Sequence, residues 1–301
     1  MSDTSALAGD PVDVVDVLPL ERAELCRLLA TVNEEQWAMP TECPAWTVKG
    51  IALHVLGDDL SLLARQRDAE APSLLTETSL PSWDGAPVSV LDHFNERWVY
   101  ASRFLSPELL IELLRLAGEW TYAWYSTVDP QRLGEEVVLF TPGKPSPYWA
   151  ITAREYLERW VHHLQIRRAL GLPAGPLGEP PLRTRAFDTI SRALTNLFVL
   201  LAPAAAAPVI VTLGDRSWTY RYDDAKGWTR HPESDSSFVT SVRVDATIAT
   251  TLLSRGLSRG DAEDALTITG DEAVTSTLKA TMAELFSRYW QANTAAPTRD
   301  A

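Results

Sequence analysis

Ile151-Thr-Ala-Arg-Glu155-Tyr-Leu-Glu158-Arg-Trp-Val161-His162-His-Leu-Gln165-Ile-Arg-Arg168-Ala-Leu170-Gly171 is the stretch that decides how the first half of this chain is read. Leu157, Val161 and Leu164 recur at spacings of four and three, the period of a helix with one buried side. Gly171 stops that helix after Leu170, and Pro173 cannot extend it. Glu158 and His162 stand one turn apart, so their side chains leave the helix side by side at the edge of the apolar stripe. A carboxylate and an imidazole in such a place need partners, because an unpaired buried ion is expensive. A metal ion is one such partner.

Working outward, three further helical stretches precede this one. Val17 to Ala30 buries Leu18, Leu25, Leu28 and Leu29. A second runs from an N-cap at Thr47 through Ile51, Val55 and Leu62 to Arg67. The third covers Val88 to Thr127 and restarts at Ser106-Pro107, Ser as cap and Pro as first helical residue. An antiparallel helical bundle is the expectation. His54 has Gly50 and Gly57 on its side of the second helix, which lets a ligand or another backbone come close. Two histidines and a glutamate leave a fourth position open on a zinc ion, as catalytic sites do. On spacing alone the competing reading is a surface Glu-His pair plus a satisfied core histidine.

Beyond Gly171 the pattern changes. A Gly- and Pro-rich linker at 173–182 separates residues 1–172 from a second domain at 183–301. That domain opens with a helix at Arg183 to Leu201, and alternating runs at Val209 to Leu213 and Ser217 to Tyr222 follow as strands. Trp218, Tyr220 and Tyr222 share one strand face and form a candidate core. Further strands are expected at Gly227, Val239 to Val244 and Leu266, with Asp245 capping a helix and a last helix reaching Trp290. The second half is α+β.

The net charge of −13 and the lack of a basic stripe argue against a nucleic-acid partner. The apolar run from Ala193 to Val211 is broken by Asn196, Pro203 and Pro208, so it does not make a membrane span. Two cysteines, Cys26 and Cys43, fit reduced thiols in a cytoplasmic protein, and Met1 to Ser5 carries no secretory pattern.

Pro40-Thr-Glu-Cys43-Pro-Ala45-Trp46-Thr-Val48 followed by His54, and Glu158-x-x-x-His162 followed by Arg168-Ala-Leu-Gly171, resemble the linked motifs of the mycothiol-dependent maleylpyruvate isomerase family. Asn95-Glu-Arg97-Trp98-Val99 and Leu105-Ser-Pro107 extend the likeness through the first domain. The resemblance implies a DinB-like four-helix bundle with a sterol-carrier-like second domain. It places a divalent metal, zinc first, on His54, Glu158 and His162, and mycothiol as thiol cofactor at the open position. It also implies a C-terminal arginine for an anionic substrate, with Arg216 and Arg221 as candidates. Two positions depart from the family: Ala45 replaces a usual Gly, and Gln165 stands where Asp commonly follows the second histidine.

The expected activity is addition of a metal-held thiolate to a small electrophilic substrate, giving cis-trans isomerisation or thiol transfer by a monomer or homodimer. Asn95, Arg97 and Asp58 are candidates for the catalytic and substrate contacts, Asp58 because it lies one turn after His54. The alternatives are a zinc hydrolase with Glu155 or Asp58 as base, and a non-catalytic binding protein. His163 points away from His162 and is expected at the surface, as are His93 and His231, while Cys43 is expected to shape a turn.

Overall fold

The computed structural model describes residues 11–69, 87–201 apart from 138 and 142, 208–231 apart from 225 and 226, and 240–283 apart from 271, 273 and 281. Helix α1 spans Leu18–Leu29, α2 Glu34–Trp37, α3 Val48–Leu62, α4 Pro87–Ser102, α5 Pro107–Tyr125 and α6 Tyr148–Ala169. Their ends follow the capping chemistry of the sequence. Thr47 Oγ1 accepts from the Gly50 amide at 3.2 Å, and Ser106 Oγ from the Leu109 amide at 3.2 Å with Pro107 opening α5. Gly171, at φ +68°, takes the left-handed turn after α6.

Helices α1, α3, α5 and α6 make the bundle, and α4 packs against the outside of α3. Leu25, Leu29, Val48, Ile51, Val55, Leu110, Leu114 and Ile166 fill one core. A polar cross-link runs through the same interior. Arg22 on α1 bonds Asp59 on α3 at 2.7 Å and donates to the Leu114 carbonyl on α5 at 2.6 Å, and Arg159 on α6 bonds the other Asp59 oxygen. Asp59 thus ties all four helices. Burial alone would raise its carboxyl, but Arg159 and then Arg22 outweigh that and hold it below the usual Asp value.

Helix α7, Leu182–Leu201, starts the second half. Strands β3 (Val209–Leu213), β4 (Arg216–Asp223), β5 (Gly227–His231), β6 (Thr240–Val244) and β7 (Thr267–Thr269) form one sheet in the order β5-β4-β3-β6-β7. Only β3 and β6 are parallel among these neighbours. Helices α8 (Ala246–Leu253) and α9 (Arg259–Ala265) follow β6, and Asp245 caps α8 through the Thr247 amide at 2.9 Å. A small hairpin, β1 (Leu133–Glu136) with β2 (Pro145–Pro147), precedes α6 and was not legible as strands. The expected helix toward Trp290 extends beyond the described residues.

The two halves share a second core. Tyr156 and Trp160 on α6 pack into one cluster with Phe187 and Phe198 of α7 and with Val211, Trp218 and Tyr220 of the sheet. The predicted linker is stitched to α6: Trp160 Nε1 donates to the Leu177 carbonyl at 3.0 Å and the Tyr156 hydroxyl to the Leu182 carbonyl at 2.7 Å. Trp218 and Tyr220 are buried as the alternation requires, while Tyr222, near the end of β4, is 39% exposed. Thr219, on the opposite face, is also buried, so this strand is covered on both sides there. Among the described residues no helix is long and apolar enough to cross a membrane.

Candidate metal centre

His54 on α3 and Glu158 and His162 on α6 come together: one ligand atom from each lies within 4.8 Å of the others. His162 Nε2 stands 3.5 Å from Glu158 Oε2. Donors about 2.1 Å from a tetrahedral ion sit about 3.4 Å apart, so this pair has the separation such an ion needs. Two imidazole nitrogens and one carboxylate are also a donor set that zinc accepts. The residues fit a divalent metal.

The surroundings set the protonation of the three groups. Burial first, and then the nearby charge of His162, push the His54 imidazole well down, which leaves it neutral and able to ligate. Burial would lower His162 as well, but the Cys43 thiol and the Glu158 carboxylate lift it to about 10. Without an ion, His162 therefore donates from both nitrogens, toward Gln165 and toward Glu158. Glu158 is held far below the ordinary Glu range: burial opposes this, and Arg154, His162 and finally Arg255 override it.

Two helices and one loop build this geometry. Trp46, in the loop leading into α3, stacks on His54 with ring centroids 4.5 Å apart, and its Nε1 donates to Glu96 on α4 at 2.8 Å. Side chains, not a ligand, occupy the space over the two glycines. A Cβ on Gly50 would meet Trp46 at 2.9 Å, and one on Gly57 would meet Trp98 at 2.8 Å. The Cys43 turn is closed by the Trp46 amide on the Cys43 carbonyl at 2.8 Å, as expected. Its buried thiol, however, also reaches the site, donating to Gln165 Oε1 at 3.3 Å. That contact was missed, because nothing in the local sequence says which way a turn cysteine points.

The other candidates separate. Asp58 is half-buried and lies 3.9 Å from Arg154, with Glu155 beside it, rather than within the three-residue cluster. Arg154 Nη1 bonds Glu155 at 2.8 Å, and its Nη2 stands 3.7 Å from Glu158. One guanidinium therefore serves three carboxylates. Burial, followed by the Asp58 charge, pushes Glu155 up to about 7. Asn95 is half-buried and Arg97 exposed on α4, where Glu96 between them is the residue that touches Trp46. The His93 side chain lies outside the described residues, and His231 is exposed as expected. His163 corrects the expectation of a surface residue: it is 1% exposed and bonded through Nδ1 to Glu21 of α1 at 2.9 Å. A rotation of about 100° from His162 points it into the α1 interface, because α6 is covered on more than one side.

Of the C-terminal arginines, Arg216 pairs with Asp188 at 2.7 Å and Arg221 is exposed on β4. The one whose charge bears on Glu158 is Arg255. It follows α8, where the Arg255 amide bonds the Leu252 carbonyl and the Gly256 amide bonds the Thr251 carbonyl, a Schellman cap with Arg at the position glycine usually fills. Arg255 is accordingly at φ +61°. Next to it, Arg168 of α6 bonds Glu42, the Ser254 hydroxyl at 2.7 Å and the Ser254 carbonyl at 2.9 Å, joining the Cys43 loop, α6 and the second half.

A four-helix bundle with a His-Glu-His cluster projecting from two of its helices defines the DinB-like class of metal-binding folds. Residues 18–167 match the family model of the mycothiol maleylpyruvate isomerase N-terminal domain, and through this domain the chain belongs to that family. Crystal structures of a mycothiol-dependent maleylpyruvate isomerase and of a histidine-to-alanine mutant of it are similar at 15% identity, covering 85% of this chain and 91% of theirs, with a TM-score of 0.49. No curated protein matches the sequence.

Proposed function

We propose that this chain is a zinc-dependent, mycothiol-dependent isomerase that interconverts the cis and trans forms of a small electrophilic, anionic substrate. The observation that carries the reading is the convergence of His54, Glu158 and His162 within 4.8 Å, on the elements that bear the family's motifs. When bound, the ion and the thiol supply a sulfur nucleophile kept deprotonated at neutral pH.

The chain's own residues do the rest. Trp46 holds the His54 ring by stacking and covers that side of the cluster from water. Arg154 and Arg255 bring positive charge to the Glu158 side from the two halves of the molecule, which favours an anionic substrate there. Asn95 and Arg97, on α4, are the candidates for contact with substrate or cofactor. Glu155, pushed up to about 7 by burial and the Asp58 charge, is the group that can hold a proton near neutral pH for the thiol or the substrate. Positioning of this kind is worth roughly 7 to 11 kcal/mol, against about 2 kcal/mol for complete deprotonation of a free thiol.

The test is zinc content and thiol-dependent isomerisation of purified protein. Wild type should hold one zinc per chain and require mycothiol, and His162→Ala should lose both metal and activity. Wild type without stoichiometric metal, or His162→Ala with full activity, would falsify the reading. Hydrolysis without added thiol would instead support a hydrolase, the alternative that the raised Glu155 favours as a base for water.

A further inference from the structure

Behind His162, on the side away from Glu158, stands a small arrangement that the ligand cluster alone does not explain. Gln165 and Cys43 are both 2% exposed, one on α6 and the other on the loop before α3. Gln165 Oε1 lies 2.9 Å from His162 Nδ1 and also receives the Cys43 S–H at 3.3 Å. A glutamine amide has two ends of opposite character: its oxygen only accepts and its nitrogen only donates. If the amide were turned round, its N–H would face Nδ1, the Nδ1 proton would have to leave, and the imidazole would keep its remaining proton on Nε2. Nε2 is the nitrogen facing Glu158. The orientation of one buried amide therefore selects which imidazole nitrogen is available to a metal.

We propose that Gln165 is a positioning residue that holds the Nδ1 proton of His162, and that Cys43 keeps the Gln165 amide oxygen-first through its S–H. The inference rests on the metal-site reading above and adds what fixes the ligand's tautomer and ring angle. A neutral amide oxygen does this more weakly than a carboxylate, so the arrangement needs a second donor to hold it. Cys43 is that donor. A carboxylate at 165 has two equivalent oxygens and no wrong way round, and would not need it. The part of the dependence on Cys43 that runs through the amide is therefore specific to glutamine.

The experiment is Zn2+ affinity, measured with the metal alone by chelator competition, together with the visible absorption of the Co2+-loaded protein. Gln165→Leu should bind Zn2+ about 10- to 100-fold more weakly and shift the Co2+ bands. Gln165→Glu should restore wild-type affinity or better. Cys43→Ala should cost about two- to tenfold in the wild-type background and clearly less in the Gln165→Glu background, where only the direct contact of Cys43 with His162 is lost. Equal losses in both backgrounds, or a Gln165→Leu protein that binds like wild type, overturn the proposal while leaving the metal site standing. A wild-type protein that binds no Zn2+ overturns both. The cycle between Cys43→Ala and Gln165→Glu does not depend on whether Gln165→Leu folds, and melting midpoints read the fold separately.

Discussion

At the scale of single residues, the site is defined by opposite treatments of chemically similar groups. His54 and His162 are both buried, yet one is pushed down and the other lifted to about 10, because His162 hydrogen-bonds Cys43 and Glu158 whereas His54 feels Glu158 only through its charge, which burial outweighs. Glu155 and Glu158 stand one turn apart and share Arg154, yet diverge: Glu158 also gains His162, while burial and the Asp58 charge carry Glu155 up to about 7 with one buried oxygen left without a hydrogen bond. A carboxyl whose folded value lies above its unfolded value of 4.5 stabilises the fold at low pH and loses that contribution as pH rises toward about 7. The wild type should therefore melt lower at pH 8 than at pH 5 in proportion to this group. In Glu155→Gln the difference between the two pH values should shrink, and an unchanged difference in calorimetric scans would refute the assignment. Spacing at i,i+4 gave the Glu158-His162 pair, but the arginine after α8, Arg255, lies about a hundred residues further on, within no motif.

At the scale of elements, the cap of α8 shows a local rule set aside. The position after a helix end that takes positive φ belongs to glycine, since a side chain there costs on the order of 1 kcal/mol. Arg255 occupies it at φ +61°, and its charge bears on Glu158. Arg255→Gly should leave the melting midpoint unchanged or raise it by the equivalent of about 1 kcal/mol, while KM for an anionic substrate rises at least tenfold. A drop in stability with unaltered KM would show that the arginine serves the fold. Most helix ends were legible because Thr47, Ser106 and Asp245 cap by side-chain chemistry that depends only on neighbours in sequence. Hairpin β1-β2 was not, since strands of four and three residues carry too little alternation to register.

At the scale of the whole molecule, Asp59 is the point on which the bundle closes, with Arg22 and Arg159 converging on it from α1 and α6. Removing one partner from a buried ion network leaves the others uncompensated, at about 3 to 5 kcal/mol. Asp59→Asn should lower the free energy of unfolding in urea by about that amount and loosen His54, one turn and one residue earlier on the same helix. A loss below about 1 kcal/mol would mean that the two arginines find other partners. Because its carboxyl is depressed, the wild type keeps this contribution above the ordinary Asp value of 3.8 and loses it only in acid. The second core is equally global: α6 carries the metal ligands on one side and Tyr156 and Trp160 on another, so the halves are joined through the helix that bears the site.

The sequence alone determined the helical bundle, the α+β second half and the three residues that converge, because helix period, caps and linked motifs are local or recurrent signals. The tertiary structure alone decided that His163 is buried against Glu21, that tryptophans fill the glycine face beside His54, that Cys43 and Gln165 stand behind His162, and that Arg255 is the C-terminal arginine acting on Glu158. Each of these depends on which way a side chain faces across a packed interface. Burial and charge at such places are set by neighbours remote in sequence, and no local pattern encodes them.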